Sequence, residues 1–173
     1  MAFHIIIDGY NLIRNYPPLA KEEYRDFSRG REALLQWLAA YRKMAPHPFT
    51  VVFDGHKGGA LAEERDVYKG IKILYSRSGQ TADDLIKGLV SREGERFLVV
   101  TSDLELGNYC RSCRAGVIPS QSFTARVEEK ERLKNRQGFG DEEEIPTPLK
   151  KKKGKAFRMS KKVKKEKKLW EKL

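Results

Sequence analysis

The 173-residue chain has only two cysteines, Cys110 and Cys113. That is too few for the disulfide framework that staples small secreted domains, and a reducing compartment would hold both as thiols. Long hydrophobic runs are absent as well. The most apolar stretches, such as Phe97–Val100, fall far short of the roughly 18 residues a membrane helix needs, which excludes a transmembrane span of that kind, and no membrane partner is expected. No basic region followed by an apolar leader opens the chain: Met1-Ala2-Phe3-His4 passes straight into Ile5-Ile6-Ile7-Asp8, so a cytoplasmic location is expected. Neither GxxxxGK[ST] nor GxGxxG occurs, which argues against nucleoside-triphosphate and dinucleotide binding. His4, His47 and His56 share no pattern with a nucleophile, so a Ser or Cys triad has no support.

Charge is present and unevenly placed. The formal net charge is +11, from 35 Lys+Arg and 24 Asp+Glu. Residues 149–173 hold 13 of the bases and only two acids, Glu166 and Glu171, which leaves 22 of each sign in residues 1–148. A neutral globular domain with a polybasic appendage is the asymmetry expected of a chain that contacts nucleic acid or another anionic surface. About a dozen cations in 25 residues bind phosphates through counterion release whether or not they read a sequence. The plain alternative is a solvated tail that serves solubility alone.

The periodicities divide the chain into a domain over 1–137, an acidic, proline-containing linker over 138–148, and a Lys-rich tail over 149–173 that is disordered or transiently helical on a partner. His4–Asp8 reads as a buried strand followed by a turn at Asp8-Gly9, and Phe49–Phe53 as a second, ending in Asp54-Gly55. Between them, Ala33, Leu34, Trp37, Leu38 and Tyr41 recur at helical spacing over Ser28–Met44, with Ser28 as cap and Pro46 and Pro48 as the stop. His56–Ala60 is a Gly-rich loop, and Gly70–Tyr75 alternates as a third strand. Thr81-Ala82-Asp83-Asp84 opens a helix carrying Leu85, Ile86, Leu89 and Val90 on one face. Phe97–Thr101 is the next strand, followed by Ser102-Asp103, a short helical stretch through Leu104, Leu106 and Tyr109, and a brief fifth strand at Val117-Ile118. Ser122–Gln137 reads as a charged helix with few apolar residues. Alternating strands and helices define an α/β fold, a three-layer sandwich with a largely parallel central sheet.

Ligands bind at the carboxyl edge of such a sheet. Asp8, Asp54 and Asp103 fall at strand ends, and Asp83 falls at a helix start that opens on the same edge. Four unpaired carboxylates repel one another unless a hard divalent cation joins them, and oxygen ligands favour Mg²⁺ or Mn²⁺ over zinc. Any one of these aspartates could equally cap a turn or a helix. Thr81 as N-cap would put Asp84 where a capping box places its acid, so Asp84 reads as capping or outer-shell and Asp83 as the ligand. Asn11 could orient a carboxylate, a water or a phosphate, or cap a helix. Cys110-Arg111-Ser112-Cys113 has redox or zinc spacing, but without a second pair it reads as a helical pair facing the core.

Asp8-Gly9-Tyr10-Asn11-Leu12-Ile13, Val51-Val52-Phe53-Asp54-Gly55, Thr81-Ala82-Asp83-Asp84 and Thr101-Ser102-Asp103, in that order, resemble the NYN domain of the YacP type, within the PIN-like ribonucleases. The resemblance covers roughly residues 3–136. It implies a PIN-like, Rossmann-like fold, a divalent-metal centre and endoribonuclease activity, with some similar members acting on messenger RNA at the ribosome. It puts the family's acids on Asp8, Asp83 and Asp103, while Asp54 matches a position of less clear necessity.

The reading that follows is a metal-dependent endoribonuclease in which Asp8, Asp83 and Asp103 hold Mg²⁺ or Mn²⁺, Asp54 and Asn11 assist, and water is the nucleophile. RNA is the expected partner, with Lys150, Lys151, Lys152, Lys153, Lys161 and Lys162 as phosphate contacts. Arg14, Tyr16, Lys57, Lys69, Arg77 and Lys87 could line its path or be ordinary surface. The competing reading is a noncatalytic RNA- or ribosome-binding module docked by its tail. Nothing in the residues decides the oligomeric state.

Overall fold

The structure is a computed structural model that describes residues 3–45, 47–55 and 64–138. Pro46, the stretch 56–63 with His56 and Lys57, most of the linker and the whole Lys-rich tail lie outside the described residues.

In chain order the elements are β1 (His4–Asp8), α1 (Gly9–Arg14), α2 (Pro17–Arg25), α3 (Phe27–Arg42), β2 (Phe49–Phe53), β3 (Glu64–Tyr68), β4 (Ile71–Tyr75), α4 (Ala82–Glu93), a 3₁₀ turn (Gly94–Arg96), β5 (Phe97–Val100), α5 (Leu104–Ser112), β6 (Gly116–Ile118) and α6 (Ser120–Gly138). The strands form one sheet in the order β3-β4-β2-β1-β5-β6, and only β3 runs antiparallel to its neighbour. β1 pairs Ile5 with Phe49 and Ile7 with Val51 on one side, and Ile5 with Leu98 and Ile7 with Val100 on the other. Strands covered on both faces can be apolar throughout, and β1, β2 and β5 are largely so.

Helices cover both faces, as the α/β expectation requires. Ile5, Ile7, Val51, Phe53 and Val100 face Leu12 and Ile13 of α1, Leu19 of α2, Leu34 and Leu38 of α3, and Phe123 and Val127 of α6. Ile6, Val52 and Val99 face Ala82, Leu85, Ile86 and Val90 of α4 and Leu106 and Cys110 of α5. β1 is where the strand order reverses: the chain moves to β2 on one side and returns later to β5 on the other. The carboxyl ends of these three strands therefore flank the switch point at which open α/β sheets bind ligands.

Three local expectations are corrected. The chain after β1 is not a simple turn, because α1 and α2 intervene before α3. Pro17 and Pro18 open α2 at positions where a proline's missing N–H costs nothing. The cap of α3 is Asp26, whose carboxylate accepts from Ser28 N at 2.6 Å and Arg29 N at 3.3 Å, so Ser28 is already inside the helix. The sheet also has a sixth strand, β3, joined to β4 by the two-residue turn Lys69-Gly70, with φ of 46° and 79° as a type I′ turn needs.

Candidate active site

Asp8 ends β1 and caps α1. Only 8% exposed, its carboxylate accepts from the Asn11 backbone N–H at 3.3 Å through Oδ1 and from the Thr101 hydroxyl at 3.2 Å through Oδ2. Burial pushes its carboxyl up to about 6, and the charges of Asp83 and Asp54 add to the rise against those two hydrogen bonds. Gly9 follows because nothing larger fits: a Cβ there would run into the Phe53 ring.

The other acids reach the same edge from three elements. Asp54, just past β2, accepts from the Ala82 backbone N–H at 2.6 Å and so ties the end of β2 to the start of α4. Asp103 follows β5 and caps α5, accepting from Leu106 N at 2.7 Å. The carboxylate of Asp83, in the first turn of α4, accepts no hydrogen bond among the described residues. Its carboxyl is pushed up by partial burial first, then by Asp103, Asp54 and Asp84, with Lys87 opposing. Asp84 serves the helix instead. Thr81 Oγ1 accepts from Asp84 N at 3.1 Å and Asp84 accepts from Thr81 N at 3.0 Å, both arms of a capping box, and these bonds hold the exposed carboxyl below its usual value.

Asn11 acts in a way its spacing did not suggest. Its side-chain oxygen accepts from Ser102 N and Ser120 Oγ, both at 2.8 Å, and from Asn15 Nδ2 at 3.3 Å. Its own backbone N–H holds Asp8. One residue thus fixes the first carboxylate and pins the β5–α5 loop and the start of α6 to α1. Ser102, Ser120 and Gln121 complete this network, with Ser102 Oγ donating to Gln121 at 2.7 Å and Ser120 N donating to Ser102 Oγ at 3.0 Å. Sequence reasoning missed Ser120 and Gln121, which lie more than a hundred residues from Asn11 and carry no motif.

The edge therefore gathers Asp8, Asp54, Asp83 and Asp103 close enough to feel each other's charge. Their donors are all hard oxygens, the chemistry Mg²⁺ or Mn²⁺ takes. Yet among the described residues no three His, Cys, Asp or Glu side chains stand together as a ready-made metal cage. The set fits an ion held directly by one or two carboxylates with water completing its shell, which is the usual habit of Mg²⁺.

Among the basic and aromatic residues expected along a substrate path, Lys87 lies by this edge, paired with Glu105 at 3.4 Å and 5.7 Å over the Tyr109 ring. Arg14 lies 5.4 Å over the Tyr10 ring. Tyr16 does not face the edge: its hydroxyl donates to Glu128 at 2.8 Å and its ring packs on Trp37. Lys69 sits in the hairpin turn at the opposite end of the sheet. Arg77 follows β4 and makes no side-chain hydrogen bond among the described residues. Cys110 is buried against α4, and burial, with Cys113 and Asp83, pushes its thiol up to about 12, so it is packing and not a nucleophile. A groove of about 760 Å³ lies between α4 and the β3–β4 hairpin, lined by His4, Thr50, Lys72 and Leu89 among others, and includes none of the four edge aspartates.

A three-layer domain with a mostly parallel six-stranded sheet and acids flanking its switch point has the PIN-like architecture of NYN domains. The chain belongs to the YacP-like NYN domain family, which it matches over residues 5–172. That match runs on through the Lys-rich segment, beyond the span over which the motifs carry the resemblance. The chain is similar to YacP of Bacillus subtilis (strain 168), at 28% identity over 102 residues, 57% of this chain and 59% of that protein. Less than two thirds of that relative is thus covered. Two crystal structures of Rae1 (YacP) from Bacillus subtilis, one of them a mutant, share the fold with TM-scores of 0.66 and 0.63 at 24% identity. The likeness covers 79% and 78% of this chain and 81% and 79% of those. No helix among the described residues is long and apolar enough to cross a membrane.

Proposed function

We propose that the protein is a divalent-metal-dependent endoribonuclease that hydrolyses RNA phosphodiester bonds at the carboxyl edge of the sheet, in the cytoplasm. The observation that carries this is Asp8, a buried carboxylate at the switch point, raised to about 6 and electrostatically joined to Asp83 and Asp54. Acids assembled at a cost to their own ionisation mark a site with chemistry to perform. Mg²⁺ or Mn²⁺ held there by Asp8, Asp83 and Asp103, one or two of them directly and the rest through its waters, with Asp54 alongside, would polarise a phosphoryl oxygen and lower the pKa of a bound water. Thr101 and the Asn11 backbone keep Asp8 in one orientation, and Lys87 supplies a cation beside Asp83 for the substrate's phosphate. The basic tail, including Lys150–Lys153, Lys161 and Lys162, holds the RNA backbone by charge. Messenger RNA at the ribosome is the narrower substrate reading, and it rests on the family resemblance alone.

The test is incubation of the purified protein and its Asp8→Asn and Asp83→Asn variants with RNA and with translating ribosomes, with and without Mg²⁺ or Mn²⁺, followed by mapping of the RNA ends. Metal-dependent ends made by the unsubstituted chain and lost in both variants are expected. A second reading, a noncatalytic RNA- or ribosome-binding module, is favoured by the lack of three converging ligands among the described residues. It prevails if RNA is bound in either setting and never cut.

A further inference from the structure

The acid edge is flanked by a row of aromatic rings that runs outward from the core. Phe53, the last residue of β2, is fully buried. Tyr10, two residues after Asp8, meets it edge-on at 5.2 Å, and Phe27 meets Tyr10 edge-on at 6.2 Å. Tyr75, at the end of β4, stacks on Phe53 at 5.8 Å and 22°. The row thus climbs from the core to solvent and ends at Phe27, which is 56% exposed and belongs to neither core cluster. Phe27 is the first residue of α3, directly after the Asp26 cap. Guanidinium groups accompany the rings. Arg14 stands 5.4 Å over Tyr10 and pairs with Glu23 at 3.3 Å, and Arg31, one turn beyond Phe27, stands 5.9 Å over Tyr75 and bonds the Tyr10 hydroxyl.

We infer that Phe27, backed by Tyr10 and flanked by Arg31 and Arg14, is a stacking shelf for one unpaired RNA base whose phosphate lies at the acid edge. The substrate at the cut is then single-stranded. This rests on the nuclease reading for its substrate, and on the rings for its selectivity. Every base has a π-face that an aromatic side chain can cover, and a neighbouring guanidinium can pair with the adjoining phosphate or stack in turn. In a duplex those faces are taken by neighbouring bases, so only a strand with an unpaired base can use Phe27. The charge is complementary as well: two guanidinium groups lie beside a polyanion's path, next to acids that need a cation before they accept one.

The experiment uses the full-length Asp8→Asn chain, which binds without cutting, and short RNAs carrying 2-aminopurine at each position in turn. Salt of about 0.2 M suppresses the tail's phosphate binding. The expected result is fluorescence quenching at one position of a single strand, abolished by a further Phe27→Ala substitution with affinity falling about tenfold, the loss of one stacked base. Phe27→Trp should retain both. Duplex RNA should bind equally well with and without the Phe27→Ala substitution, and melting should be unchanged because Phe27 is exposed. Unchanged quenching and affinity in Phe27→Ala, or an equal loss with duplex, overturns the shelf. If the unsubstituted chain never cuts RNA while Phe27-dependent quenching persists, the nuclease reading falls and the shelf stands.

Discussion

Asp8 is a charge held where water is scarce, and that has a measurable consequence for stability. Its carboxyl titrates near 3.8 when unfolded and near 6 in the fold. Across that interval the folded chain keeps a proton that the unfolded chain has released, so stability falls as pH rises through the window and stays low above it. The difference corresponds to up to about 3 kcal/mol at neutral pH. Asp8→Asn keeps an oxygen for the Asn11 N–H and removes the charge. In the absence of divalent metal it is expected to be more stable than the unsubstituted chain at pH 7 by about 1–3 kcal/mol, with the gain fading toward pH 4. Urea unfolding at several pH values measures this, and a variant no more stable at pH 7 would show that Asp8 is not under strain. Mg²⁺ or Mn²⁺ should raise the melting temperature of the unsubstituted chain and leave the variant's unmoved, because an ion stabilises only the state that binds it.

The first turn of α4 carries two adjacent acids to which the proposed function gives different duties, and they can be separated. Thr81→Ala removes one arm of the capping box and should cost about 1 kcal/mol. Asp84→Ala, which removes the other arm, should lower the melting temperature without slowing RNA cleavage, whereas Asp83→Ala should stop cleavage while leaving the cap in place. Melting curves and a cleavage assay on the three variants decide it, and loss of cleavage in Asp84→Ala would move that residue into the site. The box was legible because Thr81 and Asp84 have the right spacing and residue types. The central strands were legible too, since Ile5-Ile6-Ile7, Val51-Val52 and Val99-Val100 are apolar on both faces. β3 was not: Glu64-Arg65-Asp66-Val67-Tyr68 is a mostly exposed edge strand, and charged edges carry no hydrophobic period. Nor were α1 and α2, the first too short for a helical repeat at six residues and the second opened by two prolines that read as breakers. At the site, the four acids were legible as strand-end and helix-start residues. The pinning of Asn11 by Ser102 and Ser120 was not, because it joins parts of the chain that only folding brings together.

Over the whole molecule, the net charge is carried by one part of the chain. Residues 1–148 carry 22 bases and 22 acids, and residues 149–173 carry the entire surplus of +11. The edge itself presents acids, which repel a polyanion until a cation intervenes, so on the proposed reading long-range attraction comes from elsewhere in the chain. The family match extends to residue 172, so this basic segment falls within the matched span. Truncation after Pro148 keeps every residue of the two core clusters and should leave the melting temperature within about a degree of the full chain. It should weaken RNA binding by about a hundredfold at low salt and flatten the dependence of log K on log salt, since fewer counterions are released. Quantitative binding across a salt series measures both. On the proposed reading the tail governs encounter and the edge governs chemistry, so with RNA at saturating concentration the truncated chain should cut at the same positions as the full one. Cleavage that fails even at saturation would mean that the tail completes the active edge instead of delivering substrate to it, and an unchanged salt slope would place the RNA contacts on the folded domain.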